Sequence, residues 1–205
     1  MRGVEQIPWL YDAACATCEA FGLARWRRWL AAGARGRVLD LGCGTGRNLP
    51  LLPPGTVAVG LDPSWASLVR ARRRAPAVPL VAGSAEALPF RPGVFDTVLS
   101  GLVFCSVPDA RRGLREVRRV LASEGRLRMF EHVRATERWK ARWQDRVQPF
   151  WTWITGGCHP NRETERTVER SGFAIEAAER RALGNMRRFV AVPREGAREE
   201  TDHGA

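Results

Sequence analysis

The residues best suited to chemistry are three glycines in a short loop and two aspartates beside them. Residues 38–46 read Val-Leu-Asp-Leu-Gly-Cys-Gly-Thr-Gly, so an apolar run leads directly into the glycines. Glycine permits positive φ and a close approach of the backbone to a ligand, and a helix start offers unpaired N–H groups. The pattern predicts a strand, a tight turn and a helix over about 45–52, with a ligand held by the backbone at Gly42 and Gly44.

Two aspartates, Asp40 and Asp62, indicate what kind of ligand this is. The loop spacing is G-x-G-x-G, whereas a dinucleotide-binding loop reads G-x-G-x-x-G. Asp40 comes just before the first glycine, where a carboxylate repels a pyrophosphate and suits an ammonium group. Asp62 ends a second apolar run, Val57–Leu61, in the position of an acid that binds a ribose diol. A ribose and an ammonium group without a pyrophosphate describe S-adenosylmethionine.

Strand and helix patterns alternate on both sides of this loop. We expect strands near 37–41, 56–61, 78–82, 94–100 and 126–132, a helix over 108–121, and a final, less regular strand pair near 173–179 and 187–192. Alternation of this kind predicts an α/β fold with a parallel sheet and right-handed crossovers.

The same segments resemble class I S-adenosylmethionine-dependent methyltransferases. The resemblance rests on 38–46, Gly60–Asp62, Ala85–Phe90, Phe95–Val98, and Leu114–Leu121 followed by Gly125–Leu127, and it covers about residues 35–135. It implies a Rossmann-like α/β fold whose mostly parallel, seven-stranded sheet carries helices on both faces. We expect one methyltransferase domain over 1–194 and a disordered polar tail over 195–205.

The resemblance also implies roles for residues at the cofactor site. Asp40 would orient the ammonium group of the cofactor, directly or through water, and the backbone at Gly42 and Gly44 would contact its methionine portion. Asp62 would accept both ribose hydroxyls, although it also suits a helix N-cap. Pro63 would lie against the adenine.

Further cofactor contacts are expected after the third and fourth strands. Ser84 stands where many relatives carry aspartate, so the backbone of Ala85 is the stronger candidate for binding adenine. Glu86 belongs to the same loop and also has a structural interpretation. Gly101 follows the fourth strand, beside the transferring methyl group, because ligands lie outside the carboxyl ends of parallel strands.

A narrower resemblance covers the substrate side. Residues 102–108, Glu131–Val133 and several blocks between 143 and 164 are similar to the methyltransferase-like 7 family of alkyl-thiol methyltransferases and its bacterial relatives. It implies a small-molecule methyl acceptor, and a thiol or sulfide is the first candidate for it. His132 and His159 are the candidate catalytic bases, although His159 equally suits a backbone contact in a Gly-Gly turn. We expect a substrate-side cap over 133–165 and a helical lid over 1–36, for which packing against the core and contact with a membrane surface remain alternatives.

Three other functions remain open at the level of sequence. The basic, tryptophan-rich cap suits N-methylation of a phospholipid headgroup. The block from Leu114 to Gly125 also occurs in enzymes that methylate carbon or oxygen of quinones and natural products. A non-catalytic S-adenosylmethionine-binding protein is the third alternative. No set of cysteine, histidine and acidic residues has a convincing metal-binding spacing, so no metal is expected.

The net charge of +11 places weak limits on partners. The basic residues are scattered, and all except Lys140 are arginines, so nucleic-acid binding is not expected, whereas weak peripheral contact with an anionic membrane fits the charge. No apolar run reaches the roughly 18 residues of a membrane span, and we expect a cytoplasmic protein with reduced thiols. The oligomeric state is not indicated.

Overall fold

The computed structural model describes Gly3 and residues 7–194. The expected tail, 195–205, lies outside the described residues, as do five positions at the start of the expected lid. Among the described residues, no helix combines the length and apolar character that a membrane span requires.

One mixed sheet forms the centre of the molecule. Its strands are β1 Arg37–Leu41, β2 Val57–Asp62, β3 Leu80–Ala82, β4 Phe95–Gly101, β5 Leu121–His132, β6 Phe173–Ile175, β7 Arg181–Leu183 and β8 Met186–Pro193. The order is β3-β2-β1-β4-β5-β8-β6, with β7 paired to β8. The strands from β3 to β5 in this order are parallel, and β8 pairs antiparallel with β5, β6 and β7. The predicted Rossmann-like, mostly parallel α/β sheet is confirmed, and β7 adds a short strand to the seven predicted.

The helices cover both faces of this sheet. They are α1 Pro8–Cys18, α2 Ala24–Ala32, α3 Trp65–Arg74, α4 Ala110–Val120, α5 Arg138–Thr155 and α6 Thr164–Arg170, and a π-helical turn, Glu19–Leu23, joins α1 to α2. Side chains alternate along β1, as the period of two in a strand requires. Leu39 and Leu41 pack with residues of α4 and α6, whereas Val38 packs with Trp26 and Leu30 of α2.

The segment after the glycine loop differs from its prediction. The helix expected over 45–52 is replaced by turns and a single 3-10 turn, Leu49–Leu51. Pro50 explains the difference, because proline has no N–H and its ring clashes with the carbonyl four residues earlier, which here is that of Gly46.

Two strand boundaries also differ. β5 begins at Leu121 rather than near 126, and its register with β4 shifts where Phe95 pairs with Leu121 but Thr97 pairs with Arg126. An irregularity of this kind adds unpaired residues to one strand. These residues do not continue the alternation of apolar and polar side chains, so the sequence pattern did not predict them as part of the strand. The strand expected over 173–179 ends at Ile175, and a 3-10 turn over Ala177–Glu179 follows.

Helix α5 occupies the tryptophan-rich part of the expected cap. Several of its large apolar side chains are exposed, namely Trp139, Trp143, Phe150, Trp151, Trp153 and Ile154. The expected weak contact with a membrane surface stays a prediction, and these side chains are where it would be tested.

Candidate active site

A cavity of about 620 Å³ opens at the carboxyl ends of the parallel strands. Most residues predicted for the site line it, namely Gly42, Gly44, Asp62, Pro63, Ser84, Ala85, Glu86, Gly101 and His132. Asp40 and His159 are not part of the lining. The cavity lies where the strand order reverses between β1 and β4, which is where open α/β sheets bind ligands, and its size is typical of a cofactor site.

The glycine loop needs glycine for two different reasons. Gly42 has φ of 60°, and a Cβ there would lie 2.6 Å from Val103. Gly44 has φ of 54°, and a Cβ there would meet only Tyr11, at 3.9 Å. The first glycine therefore permits close packing of two loops, and the second leaves the backbone accessible from the cavity.

Asp62 connects the ends of two strands. Its Oδ2 accepts a hydrogen bond from the Gly44 N–H at 2.9 Å, and its Oδ1 accepts one from the Ser64 N–H at 2.8 Å. Burial raises the pKa of Asp62, and these two hydrogen bonds oppose the rise. The N-cap of α3 is Ser64, whose hydroxyl accepts from the Ser67 N–H, so the helix-cap interpretation does not account for Asp62.

Asp40 lies fully buried beneath the loop. Its Oδ1 accepts a hydrogen bond from Asn48 Nδ2 at 2.9 Å, and Asn48 Oδ1 accepts one from Arg27 Nη1 at 2.9 Å. The Oδ2 atom has no hydrogen-bond partner within the described residues. Burial raises the pKa of Asp40 to about 7, although Asn48 and Arg27 favour its charged form. Asp40 is thus a buried acceptor behind the cavity rather than part of its wall.

Ser84 and Glu86 hold the third loop in shape. Ser84 Oγ accepts a hydrogen bond from the Glu86 N–H at 3.2 Å. Glu86 Oε1 accepts from the Asp109 N–H at 2.7 Å, and the carbonyl of Glu86 accepts from Arg112 Nε at 2.9 Å. These contacts connect the loop to α4, so Glu86 has a clear structural role in addition to lining the cavity.

The N-terminal helices lie against the glycine loop. Tyr11 lines the cavity, whereas Trp9 is 62% exposed. Asp12 Oδ1 accepts a hydrogen bond from Thr45 Oγ1 at 2.6 Å, and Arg47 bridges Asp12 and Glu19. A network of buried and half-buried charges therefore fixes α1 beside the site, as a lid requires.

The end of the cavity away from the glycine loop is formed by the loop after β4, where the sequence predicts the acceptor. Leu102 has φ of 62°, a conformation that is uncommon for a non-glycine residue and often occurs at functional sites. Glu131, fully buried, accepts hydrogen bonds from Ser100 Oγ and from the N–H groups of Val103, Phe104 and Cys105. Burial raises the pKa of Glu131, and these hydrogen bonds oppose the rise. The carboxylate fixes the loop that carries Cys105 into the cavity wall.

His132 and Cys158 meet at the same end. His132 Nδ1 lies 3.8 Å from Cys158 Sγ, and hydrogen bonding to Cys105 and then to His132 lowers the pKa of Cys158 despite its burial. The ring nitrogen Nδ1 of His159 lies 2.7 Å from the Gly157 carbonyl. The backbone N–H of His159 donates a hydrogen bond to the Cys105 carbonyl at 2.8 Å. The structural interpretation of His159 therefore fits its contacts.

Cys105, Ser106 and Tyr11 line the cavity but are absent from the predicted cofactor and catalytic set. Cysteines and hydroxyls in loops match many structural roles, so their types alone give little signal. The sequence nevertheless gives partial signals, because Tyr11 belongs to the expected lid near the substrate and Cys105 belongs to the substrate-side block, as a pocket-lining or, more commonly, a packing thiol.

Comparisons with known proteins agree with this geometry. Residues 39–129 match the family model of a methyltransferase domain. Human thiol S-methyltransferase TMT1B is 37% identical over 158 residues, which cover 72% of this chain and 65% of the relative. Human thiol S-methyltransferase TMT1A is 34% identical over 153 residues, which cover 70% of this chain and 63% of the relative. The chain thus spans just under two thirds of the length of these curated relatives.

A solved structure has the same fold at low sequence identity. It is a methyltransferase in complex with the Trm112 activator, from Haloferax volcanii, and it matches with a TM-score of 0.71 at 16% identity over 95% of this chain and 99% of that chain. The fold, the glycine loop and the match over residues 39–129 agree on a methyltransferase domain with the class I, Rossmann-like fold. The sequence of the chain is similar to the thiol S-methyltransferases, as the substrate-side resemblance predicts.

Proposed function

We propose that the chain transfers a methyl group from S-adenosylmethionine to the sulfur of a small thiol or sulfide. The observation that carries the proposal is that one cavity joins the glycine loop to Cys105 and His132. Sulfur is the proposed acceptor atom because the relatives of similar sequence are named thiol S-methyltransferases.

The residues present fit S-adenosylmethionine. The backbone at Gly44 is open to the cavity, and each oxygen of Asp62 accepts one hydrogen bond and so keeps a lone pair for a ribose hydroxyl. The buried Oδ2 of Asp40 has no partner within the described residues, which suits an ammonium group reached directly or through water. The backbone of Ala85 and the ring of Pro63 are the proposed adenine contacts.

The task of this chain in the reaction is positioning. When bound, S-adenosylmethionine supplies a methyl group activated by a positively charged sulfur. Gly101 lets the backbone at the end of β4 pack against the core, because a Cβ there would lie 2.7 Å from the ring of Phe130, and Tyr11 covers the site from α1. Alignment of two reactants in this way lowers the barrier by pre-arranging their geometry.

Removal of the acceptor proton needs little help if the acceptor is a thiol. A free thiol has a pKa of about 8.5, so a few per cent is ionised near neutral pH. His132 faces the cavity and is the proposed catalytic residue at this end. His159 is proposed as a positioning residue, because it connects the Cys158 turn to the Cys105 carbonyl.

Release of S-adenosylhomocysteine with separate acceptors tests the proposal. Small alkyl thiols are expected to give turnover and a methyl thioether, and sulfide is expected to give methanethiol, each detected by mass spectrometry. Phosphatidylethanolamine and a demethylated quinone are expected to give none. Turnover with the lipid or the quinone but not with any thiol would contradict the proposal, and binding of the cofactor without any turnover would favour a non-catalytic role.

A further inference from the structure

Three side chains at the acceptor end form a compact cluster. A ring nitrogen of His132 and the sulfur atoms of Cys105 and Cys158 all lie within 4.8 Å of one another. They come from the loop after β4, the end of β5 and the turn after α5, so their spacing along the chain matches no metal-binding motif. Only the folded structure brings them together.

One distance within this cluster matches tetrahedral coordination of a metal ion. With zinc bond lengths of about 2.3 Å to sulfur and about 2.0–2.1 Å to nitrogen, tetrahedral angles place ligand atoms about 3.6–3.8 Å apart. The distance from Cys158 Sγ to His132 Nδ1 is 3.8 Å. Two sulfurs and an imidazole are ligands for zinc and similar ions rather than for magnesium or calcium.

The backbone around the ligands is held in place. Glu131 binds the N–H of Cys105 at 3.4 Å, and the Cys105 carbonyl accepts from the His159 N–H at 2.8 Å. The Cys158 N–H donates to Thr155 Oγ1 at 3.2 Å, and its carbonyl accepts from Thr152 Oγ1 at 2.9 Å. Supporting contacts of this kind orient metal ligands and maintain their affinity.

The cluster is closed on one side and open on the other. Cys105 and Cys158 are each 1% exposed, and Cys105 and His132, but not Cys158, belong to the cavity wall. Zinc sites with three protein ligands and one open position are typical of catalysis, and sites with four protein ligands are typical of structural zinc. The open position here would face the proposed acceptor.

We propose that Cys105, His132 and Cys158 bind a zinc ion whose fourth position receives the sulfur of the methyl acceptor. This inference rests on the proposed function and gives His132 the role of a ligand rather than a base. The acceptor thiol binds the zinc and releases its proton to solvent, because metal coordination deprotonates a thiol. The thiolate sulfur then forms a bond to the methyl carbon while the carbon–sulfonium bond breaks. The electron pair of that bond stays on the departing sulfur, and the neutral thioether dissociates from zinc.

Metal binding is tested on the purified full chain without any methyl donor. We expect about one zinc per chain by elemental analysis. Replacement by Co²⁺ should give thiolate-to-cobalt charge-transfer bands and the visible bands of tetrahedral cobalt. Cys105→Ser and Cys158→Ser should each lower zinc affinity by more than about 100-fold, beyond the effect of losing a supporting contact. The matched control is Cys18→Ser, because Cys18 is exposed on α1.

Three outcomes would overturn the inference. These are a metal-free chain that does not bind added Zn²⁺, cobalt spectra without charge-transfer bands, and equal zinc binding by the cysteine variants. His132→Asn gives a second test if a cysteine variant fails to fold, since it should change the cobalt spectrum while leaving two thiolate ligands.

Binding of a thiol at the open coordination position is measured in a separate experiment. Addition of a small alkyl thiol to the cobalt form should shift the charge-transfer bands in the absence of methyl donor, and an unchanged spectrum would contradict a coordinated acceptor. Thiol methylation by a chain that binds no metal would leave the proposed function standing and remove the zinc site. Zinc binding without methylation of any thiol would leave the zinc site standing and contradict the proposed function.

Discussion

Asp62 shows how one carboxylate can serve both the protein and a ligand. Its two oxygens connect the glycine loop to the start of α3, and a carboxylate has about four acceptor positions. The same side chain that shapes the loop therefore still has acceptor capacity toward the cavity. Its position was predictable from the sequence because it ends an apolar strand, which places it at the carboxyl end of β2.

Asp62→Asn should weaken binding of S-adenosylhomocysteine by about 1–3 kcal/mol, or about 5- to 150-fold. An amide offers an NH₂ group where one of the two acceptor oxygens stood. Titration calorimetry measures the change. The control is Asp96→Asn, because Asp96 likewise accepts a backbone hydrogen bond, from Arg37 at 2.7 Å, but at the opposite edge of the sheet. Equal losses in the two variants would remove Asp62 from the cofactor site.

Asp40 should make cofactor binding depend on pH. Its folded pKa of about 7 exceeds the ordinary value of 3.8, so the free protein should become less stable as the pH rises through that interval. An ammonium group near Oδ2 would favour the carboxylate, so binding should release a proton and the affinity should increase up to about pH 7. Calorimetry in buffers of different ionisation enthalpy measures the number of protons released on binding.

Asp40→Asn should abolish this proton release and flatten the pH profile of affinity. An amide keeps an acceptor for Asn48 but has no titrating proton. The same proton count in both proteins would show that Asp40 does not interact with the ligand.

At the scale of elements, the expected role of α1 as a lid requires that α1 be attached to the loop that follows β1. Asp12 is central to this attachment, because it accepts hydrogen bonds from Thr45, Arg47 and Arg70. Burial opposes ionisation, but these partners hold the pKa of Asp12 below its usual value. Its carboxylate is therefore charged at neutral pH and contributes to the docking of α1.

Asp12→Asn should lower the opening free energy of α1 by about 1–3 kcal/mol, as expected for the loss of hydrogen bonds to charged groups. Hydrogen exchange of the amides in Pro8–Cys18 should accelerate while exchange in β4 stays unchanged. Glu137→Gln is the control, because it removes an exposed ion pair with Lys140. Uniform acceleration over the whole chain would indicate global destabilisation and contradict a local role.

The strands were predictable from sequence to a greater extent than the segments between them. Apolar runs ending in Gly42 and Asp62 mark β1 and β2 unambiguously, because parallel strands are buried on both faces. The helix expected over 45–52 does not form, because Pro50 lacks the N–H that an α-helix needs at that position, although the surrounding residues are compatible with a helix. Strand β7 gave no signal, since all of its residues, Arg181–Leu183, are exposed and pair only with β8.

At the scale of the whole molecule, the site is formed jointly by the carboxyl ends of the parallel strands. The loops after β1, β2, β3 and β4 converge on one cavity with the end of β5, although their residues are far apart in the chain. Sequence motifs located the cofactor side, which is concentrated in short blocks. They did not locate the grouping of Cys105, His132 and Cys158, because it depends on where α5 returns the chain to the sheet.

Cofactor binding should stabilise the entire fold. S-adenosylhomocysteine at 100 times its dissociation constant should add about 2.7 kcal/mol to the free energy of unfolding. For a chain of this size that corresponds to an increase in Tm of about 5–10 °C, measured by calorimetric or fluorescence melting. NAD⁺ at the same concentration should give no shift, because Asp40 and the G-x-G-x-G spacing disfavour a pyrophosphate. A comparable shift with NAD⁺ would contradict the assignment of the loop.

The π-helical turn over Glu19–Leu23 determines which changes of chain length the N-terminal helices tolerate. A π turn contains about one residue more than an α-helical turn, so loss of a single codon there leaves a continuous α-helix with Tyr11 still facing the cavity. Loss of one codon in α1 after Tyr11 instead rotates that side chain by about 100° about the helix axis. Natural length variants of the lid are therefore expected to cluster at this turn.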